Sequence, residues 1–434
     1  MRCPNIKFLI HFVLIPLHVV SQDIPTPALK QSEQICIKGA TIHVGNGQVL
    51  EDAYLIFENG KILDIYSAKV GKGKEPACKT IDAGGKHIYP ALIGLNTHLG
   101  LAEIEAVRAT NDGIEQGSQN ANVRSIVSYN TDSRVTPTVR SNGVLYAQIV
   151  PGGGIVSGTT SLVQLDAWNW EDAAIVAEEG AVLNWPRLFN KSGWWAEAKG
   201  FEVNKDYEQQ RQEIIDYFME ARGYSQADYP KKNLRFESLK EVVHGKRRLY
   251  INANHIKEIL HAIDFAEQLG LKITLIGAAD AYHIADLLAK KNIPVILGRT
   301  HELPNYADED IHQPYKTPAI LKKAGVLFAI SNEGFWQVRN LAFQAGQSVP
   351  FGLTKEEAIM SITLHPAKIL GVENRLGSLE IGKDASFIIS DGDVLDMRTS
   401  IISSAYIEGR LVDLGNKQTD LYHKYLQKYG LEVK

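Results

Sequence analysis

The chain is poor in cysteine, carries no block of basic residues and, beyond its first two dozen positions, has no apolar run long enough to cross a bilayer. Each absence excludes something. With 46 Lys and Arg against 50 Asp and Glu, the formal charge is −4, so nothing in the charge balance points to nucleic acid or another polyanion. Three cysteines in 434 residues rule out a disulfide-dense scaffold. What remains, 44% hydrophobic and 22% charged residues, is the composition of an ordinary globular protein. The length exceeds that of one typical compact domain, which suggests a barrel plus a smaller module, or two ordinary domains.

Arg2 and Lys7 precede an apolar run from Phe8 to Val20 that is too short to span a membrane comfortably. Val19 and Ser21 suit the −3 and −1 positions of a cleavage before Gln22, so residues 1–21 read as a signal peptide and the chain as exported, periplasmic or extracellular. The plain alternative is a buried or anchoring helix, with His11, Pro16 and His18 interrupting the run. After cleavage only Cys36 and Cys78 would remain, in an oxidising compartment; a disulfide and two buried thiols are both open.

Residues 22–89 show short alternating strands, with Asn46-Gly47 and Asn59-Gly60 as hairpin signals. The same texture returns at 371–415, which suggests one β-sandwich module assembled from both termini, followed by a C-terminal helix at 416–434. Residues 90–370 alternate strand-like runs (GVLYAQIVP, RLYINAN, KITLIGAA, IPVILGRT, GVLFAIS) with amphipathic segments such as IKEILHAIDFAEQLG. A repeat of roughly 25 residues favours a closed TIM-like (β/α)8 barrel over an open doubly wound sheet. Residues 191–245 form a charged insertion with a helix expected over KDYEQQRQEIIDYFMEARG, placed where it could cover the mouth of the barrel.

Two segments resemble a known family. KTIDAGGKHIYPALIGLNTHLGL is similar to the stretch by which amidohydrolase-superfamily enzymes leave the small β-module and enter the first barrel strand. TKEEAIMSITLHPAKILGVENRLGSLEIGKDASFIISDGD is similar to the terminal segment of imidazolonepropionase-like and related cyclic amidohydrolases. The resemblance implies a barrel with a metal site at the strand ends and hydrolysis of C–N bonds other than peptide bonds.

The ligand pattern departs from the family. Where relatives carry Asp-x-His-x-His, this chain has Gly94-Leu95-Asn96-Thr97-His98, so His98 is the one carried-over ligand. The histidines of the fifth and sixth strands match Asn252, Asn254 and Gly277, and the eighth-strand aspartate matches Asn332. Gln164 is the matching residue for a third- or fourth-strand carboxylated lysine, if the register holds. Neutral amides are poor zinc donors, and an amide cannot serve as the base that activates water. The inherited site therefore reads as emptied: no cofactor is expected, and a divalent metal such as zinc only if a non-standard set including His98 exists.

The polar residues left at the strand ends are Asn96, Asn252, Asn254 and Arg299 as candidate ligand-binding groups, and Glu333, His301 and His98 as candidate catalytic groups. Each has a plainer reading. Arg299 could pair with the acidic run 307–310, Glu333 could be a solvated loop residue, and His98 a hydrogen-bonded core imidazole. Gly152 to Gly154 lack the Lys-Ser/Thr of a P-loop and read as a tight loop near the mouth whose N–H groups could meet an anion. DAWNW, 166–170, could line a pocket or belong to the core, and the remaining histidines show no shared ligand spacing. Three functions compete: a C–N hydrolase acting on a cyclic amide or related small molecule, a non-catalytic small-molecule-binding protein using the same pocket, and a metal-free isomerase or lyase, which has no positive support. The expected partner is a small molecule, with no nucleic acid and no membrane after signal cleavage; a homo-oligomer is left open.

Overall fold

The computed structural model describes residues 26–70, 78–194, 197–227, 230–306 and 308–432. The expected signal segment, 1–21, lies outside the described residues. No helix among them is long and apolar enough to cross a membrane.

The chain begins with β1 (Ile35–His43), β2 (Val49–Glu58), β3 (Lys61–Ser67), β4 (Lys79–Asp82) and β5 (His87–Pro90). Asn59 and Gly60 join β2 to β3 with φ of 51° and 77°, the two positive values that a two-residue hairpin turn of this twist demands. β6 (Leu92–Thr97), β7 (Val144–Ile149), β8 (Val156–Gln164) and β9 (Ala174–Asn184) follow. A hairpin of β10 (Phe189–Trp194) and β11 (Glu197–Val203) precedes the helix Tyr207–Ser225. β12 (Arg248–Ala253), β13 (Ile273–Gly277), β14 (Val295–Leu297) and β15 (Phe328–Ile330) complete the middle, and β16 (Phe387–Ser390), β17 (Ile402–Ile407) and β18 (Arg410–Val412) end it.

The barrel sheet runs β6-β7-β8-β9-β12-β13-β14-β15. It closes where Thr97 bridges Gly334 and the His98 N–H donates to the Gly334 carbonyl at 3.1 Å. The expected strands GVLYAQIVP, RLYINAN, KITLIGAA, IPVILGRT and GVLFAIS are β7, β12, β13, β14 and β15. Helix Ile256–Gln268 shows how one outer layer forms: His255 and Glu258 make a capping box, and Ile259, Ala262, Ile263 and Ala266 turn inward at helical spacing.

One strand departs from the regular repeat. β8 pairs antiparallel with both β7 and β9, whereas every other neighbouring pair in the barrel is parallel. A parallel return needs a crossover of about a dozen residues or more. Residues 150–155 are too few, so the triple-glycine loop makes a tight reversal and leaves no room for a helix.

Strands from both termini meet here. Hydrogen bonding joins them into a single sheet, β18-β17-β16-β5-β1-β2-β3 with β4 on β1. Ile37, Ile42, Leu55, Phe57, Phe387 and Tyr406 form its core. The insertion expected to be helical starts with the β10–β11 hairpin; after it come the expected helix and a second, Leu234–Val243. The C-terminal helix is Lys417–Tyr429, capped by Asn416. Cys36 and Cys78 are joined by a disulfide, with Cα atoms 5.9 Å apart.

Candidate functional site

A cleft of about 290 Å³ opens at the C-terminal ends of the parallel strands. Asn96, Asn252, Asn254, Arg299 and Glu333 line it, together with Arg187, and Ile276 and Leu297 supply apolar wall. Five of the seven sequence-selected residues thus share one site.

Asn96 sits at the end of β6 with φ of 53°, a left-handed conformation that asparagine tolerates better than most residues. Its N–H donates to Gln148 Oε1 at 3.2 Å. Gln148 in turn donates from Nε2 to Glu179 Oε2 at 3.0 Å, and Thr160 Oγ1 and Tyr250 OH donate to the same carboxylate at 2.9 and 2.6 Å. This network inside the barrel escaped sequence reading, because its members come from five strands with no shared spacing. Desolvation pushes the Glu179 carboxyl up, opposed by those three donors and by the Arg248 charge.

Asn252 is in register with Asn184 at the end of β9. Asn184 donates from Nδ2 to the Gly154 carbonyl at 2.9 Å and to Ser157 Oγ at 3.0 Å. The mouth-facing end of this fourth barrel strand is therefore another amide. Asn254 lies against Gly277, whose φ is 77°. Asn332 is 1% exposed and donates from Nδ2 to the Gln337 carbonyl at 2.7 Å.

Several expectations need correction. His98 is not among the cleft residues: its Nδ1–H donates to the Val150 carbonyl at 2.8 Å, and the ring is wedged beside Gly113 and Gly152. His301 is also outside the cleft, exposed, with Nδ1 2.9 Å from the Tyr315 hydroxyl and its N–H donating to Gln344 Oε1 at 2.9 Å. It turns away because the chain leaves β14 in an irregular loop held by Gln344. Arg299 pairs with Glu302 rather than with the acidic run 307–310, since three residues along is nearer than eight. Gln164 and the DAWNW segment lie at the other end of the barrel, a direct consequence of the reversed β8. There Gln164 accepts from Arg410, and Asp166 takes Arg410 and Arg140 at 2.7 and 2.9 Å. Gln164 and Trp168 border a second cavity of about 720 Å³, whose arginines, Arg375 and Arg410, are paired with Asp384 and Asp166. In the glycine loop the Gly152 N–H is spent on the Gly113 carbonyl at 2.7 Å.

Two further groups were missed. Arg187 follows β9 with no motif to mark it. At the junction of module and barrel, His43 Nδ1 lies 2.7 Å from Glu356 Oε1 and its Nε2 lies 3.1 Å from His87 Nδ1, a contact between residues 44 and 313 positions apart.

The resemblance implies a divalent metal at the strand ends. The donor set there does not fit one, since Asn96, Asn184, Asn252, Asn254, Gly277 and Asn332 offer neutral amides or no side chain at all, and His98 is engaged elsewhere.

An eight-stranded α/β barrel with a module built from both chain ends and a polar cleft at its mouth is the class that fold and site define. Residues 317–413 match the amidohydrolase family model. The amidohydrolase tasK of Hapsidospora irregularis is 20% identical over 370 residues, 76% of this chain and 36% of that protein, so the chain spans about a third of its length. Imidazolonepropionase of Rhizobium rhizogenes is 24% identical over 382 residues, covering 80% of this chain and 88% of the relative. N-acetylglucosamine-6-phosphate deacetylase of Danio rerio matches more closely, at 43%, but over 56 residues, 14% of its length. Among solved structures, an amidohydrolase from Thermotoga maritima MSB8 superposes with a TM-score of 0.74 at 24% identity, covering 87% of this chain and 99% of that one. In sequence these matches make the chain similar to amidohydrolase-superfamily proteins, and in fold it shares their barrel.

Proposed function

We propose that this barrel binds a small polar molecule of the amide or imide class at its mouth, and does so without the imidazole-held metal that its relatives' motif implies. The carrying observation is that Asn96, Asn252 and Asn254 line one cleft, with Gly277 beside them. Each carboxamide can donate and accept at once, matching the C=O and N–H of an amide ligand. The apolar wall of Ile276 and Leu297 suits the hydrocarbon part of a cyclic amide. Export to an oxidising compartment belongs to the same proposal, supported by the Arg2/Lys7 and Phe8–Val20 layout.

Titration calorimetry with a panel of cyclic amides and imides tests the reading on protein purified without chelator and assayed for zinc, iron and manganese. Saturable binding that Asn252→Ala weakens, in metal-free protein, is the expected result. A stoichiometric metal ion that disappears in His98→Ala would overturn it.

A second reading, hydrolysis of the ligand's C–N bond, is favoured by Glu333, whose carboxylate borders the cleft. In that reaction water adds to the carbonyl carbon as Glu333 takes its proton, the C–N bond breaks and the proton passes to the leaving nitrogen. Turnover that Glu333→Gln abolishes while leaving binding intact would select hydrolysis over binding alone.

A further inference from the structure

The cleft has unpaired charges of both signs on opposite walls. Arg187 follows β9 and Glu333 follows β15, the fourth and eighth strands of an eight-strand ring. Half a circuit separates those strands, so the two side chains enter the mouth from facing sides. Both are exposed, and neither side chain has a hydrogen bond or ion pair among the described residues. The other charges of the cleft are occupied: Arg299 is paired with Glu302, and Glu309 accepts the Asn305 N–H at 2.7 Å. Asn252 and Asn254 stand on the strand beside that of Arg187, and Asn96 on the strand that closes against the Glu333 segment.

A neutral ligand would leave both charges to solvent, and a singly charged one would satisfy half of the site. A ligand carrying both charges, with a neutral amide between them, would meet Arg187, Glu333 and the asparagines that line the same cleft. We propose that the cleft selects a small zwitterionic amide, its carboxylate held by Arg187, its ammonium group by Glu333, and its central amide by the asparagine side chains. Guanidinium and carboxylate form charge-assisted hydrogen bonds with those two ends. The cleft volume lies at the low end for small-molecule sites, which suits a ligand of roughly dipeptide size. This selectivity rests on the amide-binding reading above and adds the two charges to it.

Four probes separate the two ideas: L-alanyl-glycine, its N-acetyl form, its C-terminal amide, and the N-acetyl amide that carries neither charge. Calorimetry at low salt should show the zwitterion binding about tenfold more tightly than either singly blocked form. Arg187→Ala should erase the preference for the free carboxylate alone, and Glu333→Gln the preference for the free amine alone. Equal binding of all four probes, or variants that weaken all four alike, would overturn the charge pairing. If the uncharged probe binds as well as the zwitterion and Asn252→Ala weakens both, the amide reading survives while the charge pairing falls. Failure of all four to bind rejects the charge pairing, and the cyclic-amide panel then judges the amide reading by itself.

Discussion

Asn254 and Gly277 interlock: the Asn254 Oδ1 occupies the space that a Cβ at position 277 would need, and Gly277 holds a φ of 77° that L residues rarely adopt. Where the family pattern has a histidine, backbone and neighbour both exclude a side chain. Gly277→His is therefore expected to destabilise the fold without restoring metal binding. Gly277→Ala should lower unfolding stability by about 1–3 kcal/mol in urea titration. Combining it with Asn254→Ala should recover the overlap part of that loss and leave the φ part.

Glu179, itself half-buried, is the acceptor of three donors, Gln148, Thr160 and Tyr250, which are buried. Glu179→Ala would orphan them all and should cost about 3 kcal/mol. The pH dependence follows from the raised carboxyl pKa, whose ordinary value is 4.5. A raised folded value means that the group's favourable contribution is complete below about pH 4.5 and is lost as pH rises through the folded pKa. Glu179→Gln should remove that slope, seen as a flatter profile of urea midpoints from acid to neutral pH.

His87 and His365 behave in the opposite sense. Burial lowers both, helped in His87 by the neighbouring His43 charge. A depressed folded pKa leaves stability intact above the unfolded value of 6.5, and stability declines as pH falls from there through the folded pKa. Thermal melts between neutrality and mild acid should show this decline, and His87→Gln should reduce it. An unchanged profile in that variant would remove the His43–His87 contact from the account.

The Cys36–Cys78 bridge ties β1 to the residue just before β4 and closes a loop of separation 42. Reduction, or Cys36→Ser, should lower stability by about 2–4 kcal/mol. Melts with and without a thiol reductant measure the difference, and wild-type protein indifferent to reductant would contradict the bond.

The barrel was legible because its period is local: apolar strands and helices such as Ile256–Gln268 announce themselves within fifteen residues. The β2–β3 hairpin was legible for the same reason, Asn59-Gly60 marking its turn. The missing ligands could also be read, since Asn96, Asn252, Asn254 and Gly277 are visible as residue types without any geometry.

Direction and pairing lay beyond reach. A strand's apolar pattern looks alike read either way, so the reversal of β8 was invisible except as a loop too short for a crossover, and with it Gln164 and the DAWNW segment moved to the far end of the barrel. Side-chain aim was likewise undecided: His98 and His301 stand beside cleft residues in sequence, yet backbone carbonyls, Tyr315 and Gln344 turn them elsewhere. The sequence by itself determined the barrel and the amide character of the strand ends, because these depend on residue type and short-range period. Tertiary structure alone decided that Arg187 and Glu333 border one cleft, that Asn96 connects to Glu179 through Gln148 and that His43 meets His87 and Glu356, because each is a meeting of distant segments that only closure of the sheets brings about.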